Sequence, residues 1–271
     1  KKQIKTTLEN QRSFFHTGIT HSYEWRMTQL ENLKNSIENN KQAIVDALYK
    51  DFKKPEIEVY VTEIDYTLKN INYVMHHLQE WMQPERVSVP LTLKPGKAYR
   101  KPEPIGVVLI IAPWNYPFQL VMTPLIGALA AGNIAMVKPS EIASHTAKVT
   151  EDILAEAFDN NIVSVFQGGK ETNQALLEHK FDHIFFTGST FVGGIVMQAA
   201  ARHLTPVTLE LGGQNPCIVD ESADIETAVK RICLGKFLNS GQTCIAPNHI
   251  YIHSKVKDRF TKKFKQTIQE F

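Results

Sequence analysis

The sequence predicts a doubly wound α/β protein with a parallel sheet, and three observations carry that prediction. Short, uncharged apolar runs recur through the middle of the chain: GVVLIIA at 106–112, IAMV at 134–137, IVSVF at 162–166, HIFF at 183–186 and PVTL at 206–209. Stretches with helical periodicity separate them. Glycine or proline stands at or close to the ends of these runs. Continuous apolar strands bounded by turn residues and alternating with helices are what a parallel sheet covered on both faces requires.

Each element follows in order. From residue 1 to about 82, apolar positions such as Ile37, Ile44, Val45, Leu48 and Phe52 recur three or four apart among charged neighbours, which predicts amphipathic helices. Residues 84–103 change character. Pro90, Pro95-Gly96 and Pro102 punctuate short β-prone pieces, so exposed strands around a turn are expected, of the kind that reaches towards another subunit. The strand–helix alternation then begins, with helices expected through LIGALAAG, over 145–158, over 171–178 and after Phe191. A second group opens near Asn215 with PCIVD, continues through a helix over about 222–238 and reaches Cys244 and the strand NHIYIH. In the last segment Val256, Phe260, Phe264 and Ile268 lie four apart, one face of a helix.

Bulk properties exclude several classes. The 271 residues carry 30 Lys and Arg against 28 Asp and Glu, interspersed and without a basic run, so a nucleic-acid partner is not expected. Three cysteines (Cys217, Cys233, Cys244) without C-x-x-C spacing argue against a disulfide framework or zinc site and suggest a reducing, cytoplasmic setting. His249 and His253 share one side of a strand but lack a third ligand, so no metal is expected. The first residues show no apolar signal core. Residues 104–137 hold no charge and are long enough to cross a bilayer, yet Pro104, Pro113, Pro117 and Pro124 would strand backbone groups in lipid, so no membrane span is expected.

Five stretches could carry chemistry. HIFFTGSTFVGG runs from an apolar strand through a Gly-containing turn into a helix, the place where an open parallel sheet binds phosphates; it matches neither the G-x-G-x-x-G nor the triphosphate-loop pattern, and an ordinary turn is the competing reading. NIAMVKPSE delivers Lys138 and Glu141 to the carboxyl edge of the sheet. A carboxylate there can hold ribose hydroxyls and repel an extra phosphate, or the pair can simply cap a helix. IAPWNYPF holds one amide, Asn115, in a rigid loop, suited to donate to an oxyanion or to satisfy a turn. PVTLELGG sets Glu210 between Leu209 and Leu211. An apolar surround would raise its pKa and make it a general base, whereas pairing with a lysine across the sheet is the alternative. Cys217 and Cys233 fall inside regular elements, but Cys244 in NSGQTCIAPN lies in a turn between Gly241 and Pro247, accessible and mobile, as a nucleophile requires.

Standing in one order, PWNYPF, KPSE, FTGSTFVG, LELGG and GQTC closely resemble the aldehyde dehydrogenase superfamily, and KPEPIGVVLIIAPWNYPFQL with GQTCIAPN looks most like its class-three and fatty-aldehyde branch. The resemblance runs from about Arg12 to the end. It implies a variant dinucleotide fold over 1–83 and 104–209, a protruding strand segment over 84–103 used in oligomerisation, and the first part of a catalytic domain over 210–271. It implies NAD as cofactor, with NADP an alternative, and an aldehyde substrate. Cys244 would be the nucleophile, Glu210 the base for the deacylating water and Asn115 the oxyanion donor. Lys138 and Glu141 would hold the adenosine ribose, Gly188, Ser189 and Gly193 would surround the pyrophosphate, and Trp114 and Leu211 would flank the cofactor. A homodimer is implied for the full-length form.

The sequence departs from that family in one respect. Members continue through an E-x-F-G-P motif that contacts the nicotinamide ribose, and this chain has none. It is therefore expected to be inactive, or nearly so, by itself. Two rivals stay open: a non-catalytic dinucleotide-binding or interaction fragment, and a cysteine hydrolase, the latter weakened because no histidine motif pairs with Cys244.

Overall fold

Helices form first along the chain because the opening eighty residues contain no continuous apolar run, only stripes at helical spacing. These are α1 (Lys2–Phe15), α2 (Tyr23–Asn39), α3 (Lys41–Phe52), the single-turn α4 (Glu56–Val59) and α5 (Asp65–Trp81). Ser22 caps α2 by accepting the Trp25 N–H at 3.0 Å. A π-helical turn, Tyr60–Ile64, links α4 to α5. Such insertions rotate the side chains that follow and occur frequently at functional sites. The computed structural model describes residues 1–270 and divides into two compact units, Lys1–Glu210 and Leu211–Phe271.

After α5 the chain makes an antiparallel pair, β1 (Glu85–Val87) with β2 (Ala98–Arg100), in register Glu85↔Arg100, Arg86↔Tyr99 and Val87↔Ala98. Leu91, Leu93 and Tyr99 of this excursion are exposed, as its proline content suggested.

The main sheet contains β3 (Val107–Ile111), β4 (Ile134–Lys138), β5 (Val163–Val165), β6 (His183–Gly188) and β7 (Val207–Leu211), in the order β5-β4-β3-β6-β7. The pairs β3–β4, β3–β6 and β4–β5 are parallel. Between the strands run α6 (Gln119–Ala130), α7 (Ser144–Ala157), α8 (Lys170–Leu177) and α9 (Thr190–Ala201). All five residues of β3 and of β4 are buried, so both faces are covered. Val108, Ile110, Ala135 and Val137 join one core with Leu33, Ile37, Ile44, Leu48, Ile71 and Leu78 from the helices. Leu109, one residue out of phase, is equally buried on the opposite face.

The order decides where a ligand goes. Strands are added outward from β3 to β4 and β5, and the chain then returns to place β6 on the other side of β3. Beyond the carboxyl ends of β3 and β6 the connecting segments diverge, which leaves a crevice at this switch point.

The second unit holds β8 (Asn215–Val219), α10 (Ile225–Phe237), β9 (Pro247–Ile252) and α11 (Lys257–Glu270). β8 and β9 are parallel, with a bulge between Asn215 and Pro216. Val219, Ile225, Val229, Ile232, Cys233 and Phe260 form its core. α10 begins three residues later than expected. Asp220 first binds the Ser222 N–H in a turn at 3.0 Å, and Asp224 then caps the helix through Thr227 N–H at 2.7 Å. Among the described residues no helix is long and apolar enough to cross a membrane.

Candidate active site

In the first unit, four sequence-singled stretches reach the carboxyl edge of the sheet. β3 runs into the loop bearing Trp114 and Asn115, β4 ends on Lys138, β6 ends on Gly188, and β7 carries Glu210 next to its last residue. Ser189 caps α9, its Oγ accepting the Val192 N–H at 3.3 Å. The Gly193 N–H is taken by the Ser189 carbonyl at 2.9 Å. No acidic residue stands in the first turn of α9, so its remaining amides and the positive end of its dipole are suited to a phosphate. Gly188 packs closely: a Cβ there would lie 2.5 Å from Cζ of Phe186, so the ring would have to shift.

Lys138 is 2% exposed, and its Nζ lies 2.5 Å from Oε2 of the exposed Glu141. Partial burial pushes the Glu141 carboxyl upward, but the hydrogen bond and charge of Lys138 outweigh it and hold the group below the usual carboxylate range. The sign follows: the stability contributed by this shift is present above the ordinary carboxylate pKa and is lost as pH falls through the lowered folded value. Only one of the two polar groups is freely exposed, then. Lys138 is a buried strut that orients the carboxylate at the edge.

The loop after β3 is held from below. Glu63, completely buried in the π turn, accepts Lys54 Nζ on Oε1 at 2.7 Å and the Gln119 N–H on Oε2 at 2.9 Å, capping α6. Burial pushes the Glu63 carboxyl up, while Lys54 and the amides of Gln119 and Phe118 pull it down. Lys54 also sits 4.4 Å from the centre of the Tyr116 ring. The half-buried Asn115 lies next to Tyr116 in the same loop, and Trp114 is tilted against Phe52 with ring centres 6.4 Å apart. Sequence reading missed Lys54 and Glu63. The signal was weak: a glutamate at an apolar-facing position of a helical stretch, and a lysine in the short link between α3 and α4.

In the second unit, α10 is followed by three consecutive left-handed residues, Asn239, Ser240 and Gly241, with φ of 52°, 55° and 76°. Two of them are not glycine, and such strain concentrates at functional sites. A Cβ on Gly241 would lie 2.9 Å from the Lys236 carbonyl, which requires the glycine. The chain emerges into a turn closed by Ala246 N–H to Thr243 C=O at 3.1 Å, and Cys244 within it is exposed. Cys233 is buried, which pushes its thiol up, and Cys217 is half-buried in β8. Cys244 is accessible as expected, but its turn is pinned rather than mobile, because the Asn215 side chain donates to the carbonyls of Cys244 and Ala246.

Glu210 differs from expectation. Its side chain is exposed rather than enclosed by apolar groups. Neighbours in a strand point to opposite faces, so Leu209 and Leu211 cannot surround it. No lysine pairs with it among the described residues, so the alternative reading is not realised either. Leu211, half-buried, ends β7. An apolar cavity of about 220 Å³ lined by Arg26, Leu78, Trp81 and Ala130 lies where α6 ends and leads into β4, at the edge opposite these residues. Among the described residues no group of three or more His, Cys, Asp or Glu is arranged to hold a metal.

Residues 1–271 match the model of the aldehyde dehydrogenase family. The chain belongs to that family. It is 48% identical over 268 residues to 4,4'-diaponeurosporen-aldehyde dehydrogenase of Staphylococcus aureus, covering 99% of this chain and 58% of that protein. It is 44% identical over 267 residues to aldehyde dehydrogenase family 3 member B2 of Mus musculus, covering 98% and 56%. A solved substrate-bound state of Staphylococcus aureus AldH superposes with a TM-score of 0.96 at 47% identity, over 99% of this chain and 58% of that one. The chain thus spans somewhat more than half the length of these aldehyde dehydrogenases.

The residues of this aldehyde dehydrogenase chain fit a dinucleotide. At the end of β4 the exposed Glu141 carboxylate, oriented by the buried Lys138, can accept hydrogen bonds from ribose hydroxyls, and α9 presents a helix N-terminus without acidic residues after β6. Both flank the switch point beside β3.

Proposed function

We propose that this chain supplies the dinucleotide-binding part and the nucleophile of an NAD(P)-dependent oxidation of aldehydes to carboxylic acids. The observation that carries the reading is Cys244, an exposed thiol in a pinned turn within an aldehyde dehydrogenase sequence. In this reading the Cys244 thiolate attacks the carbonyl carbon, and the oxyanion of the resulting thiohemiacetal is stabilised by the Cys244 N–H, with the Asn115 amide the further donor that the family resemblance implies. A bound nicotinamide supplies the hydride acceptor. Glu210 takes a proton from water, which hydrolyses the thioester, releases the acid and restores the thiol. That role rests on family resemblance and on the exposure of Glu210, not on desolvation of its carboxylate. A cytoplasmic location and a homodimer belong to the same proposal.

The test is aldehyde-dependent NADH formation. Turnover is expected from the full-length polypeptide, and Asn115→Ala is expected to lower kcat by about a hundred- to a thousandfold. Dinucleotide binding without aldehyde oxidation in the full-length polypeptide would favour a non-catalytic role and overturn the proposal. Glu141→Ala is expected to raise affinity for NADP relative to NAD by about tenfold, because a carboxylate no longer opposes the 2′-phosphate. Titration of tryptophan fluorescence with each dinucleotide reads this out, and an unchanged ratio would remove Glu141 from the ribose site.

A further inference from the structure

Asn215 stands 29 residues before Cys244, yet its side chain reaches the cysteine's turn. The carboxamide nitrogen lies 2.7 Å from the Cys244 carbonyl oxygen and 3.0 Å from that of Ala246, which uses both of its hydrogens; Asn248 Oδ1 is farther, at 3.4 Å. Asn248 instead accepts the Asn215 backbone N–H at 2.9 Å. Asn215 reaches the turn because the β8–β9 register shifts at that residue, and bulges of this kind re-aim side chains next to active sites.

The geometry restrains both peptide planes that meet at Cys244. The plane before it is tied by Ala246 N–H to Thr243 C=O at 3.1 Å, and the plane after it by Asn215 to Cys244 C=O. With both held, the directions of the Cys244 N–H and of its Cα–Cβ bond are set, and the position of Sγ depends on one torsion alone. Closure of the turn does not require Asn215, since the Thr243–Ala246 bond closes it already. Cys244 is exposed, so water would satisfy its carbonyl. The bond to the Cys244 carbonyl therefore restricts orientation, whereas the bond to Ala246, a residue only 2% exposed, also satisfies a buried carbonyl.

We propose that Asn215 is a positioning residue for the nucleophile: its carboxamide orients the Cys244 thiolate and the oxyanion-binding N–H of the same residue. The inference rests on Cys244 being the nucleophile. Misplacement of a reacting group by about 1 Å costs on the order of a hundredfold in rate. Asn215→Asp preserves size and removes both donors; Asn215→Ala removes the group.

In the full-length enzyme both variants are expected to lower kcat about ten- to a hundredfold, with KM for aldehyde and dinucleotide affinity changed by less than about threefold. Alkylation of Cys244 by iodoacetamide, located by peptide mass, is expected to stay within about threefold, because a small reagent meets an exposed thiol from many directions. Asn215→Ser, which keeps one shorter donor, is expected to recover part of kcat. Wild-type kcat in Asn215→Asp overturns the proposal. So does a fall in kcat matched by an equal fall in alkylation, or by lost dinucleotide binding, since either marks general disruption. If neither Asn215→Asp nor Asn215→Ala folds, Asn215→Ser decides by the same readouts. Failure of the underlying reading is separate: turnover that survives Cys244→Ala removes the nucleophile whatever Asn215 does.

Discussion

Replacing Cys244 by alanine is expected to abolish aldehyde-dependent NADH formation, by at least about a thousandfold, while leaving dinucleotide affinity unchanged. The two effects separate because the residues proposed to hold the ribose and pyrophosphate, Lys138, Glu141, Gly188, Ser189 and Gly193, all lie in the unit Lys1–Glu210, whereas Cys244 lies in Leu211–Phe271. Cys217 and Cys233 are controls. One is half-buried in a strand and the other fully buried in a helix, and alanine at either is expected to leave the chemistry intact. A Cys233→Ala variant is also expected to lose some stability, as a core side chain is shortened. Incubating wild-type protein with aldehyde and dinucleotide and then trapping the thioester on a peptide containing Cys244 gives independent evidence; acyl label found on Cys217 would refute the assignment.

Glu63→Gln is expected to destabilise the first unit by about 3–5 kcal/mol, because it leaves the Lys54 ammonium buried without its counter-charge. Lys54 is 2% exposed and Glu63 fully enclosed, so solvent cannot compensate. Replacing both, as Lys54→Met with Glu63→Leu, removes the uncompensated charge and is expected to recover much of the loss. The Gln119 amide would still lose its cap, so recovery stays incomplete. All three tryptophans, Trp25, Trp81 and Trp114, lie in this unit, so denaturant unfolding followed by tryptophan fluorescence reports it alone. An unchanged midpoint for Glu63→Gln would show that the pair does not support the unit. The consequence for function runs through Tyr116 and the α6 cap: the loop that presents Asn115 is anchored by a charge pair set in the π turn.

Much of the architecture was legible because it depends on short-range patterns. Five apolar runs became five strands, and the helical stripes before residue 82 became α1 to α5. The motif residues Asn115, Lys138, Glu141, Gly188, Ser189 and Cys244 each fall at an end of a strand or in a turn, where Gly, Pro and small polar residues had marked them. The apolar surround expected for Glu210 was misjudged although the information was present, since sequence neighbours in a strand face opposite ways and the side chain is exposed.

The sequence by itself determined the type and order of the elements and the carboxyl-edge location of the motif residues, because periodicity and turn preference act over a few residues; the family was legible through the resemblance of its five ordered motifs. Only the tertiary structure decided the strand order β5-β4-β3-β6-β7, the burial of Lys54 with Glu63, and the clamp of Asn215 on the Cys244 turn. Glu63 meets Gln119 across 56 positions and Asn215 meets Cys244 across 29. Contacts at such separations form only when apolar burial across the whole unit repays the entropy of closing the intervening loops, so no local pattern records them.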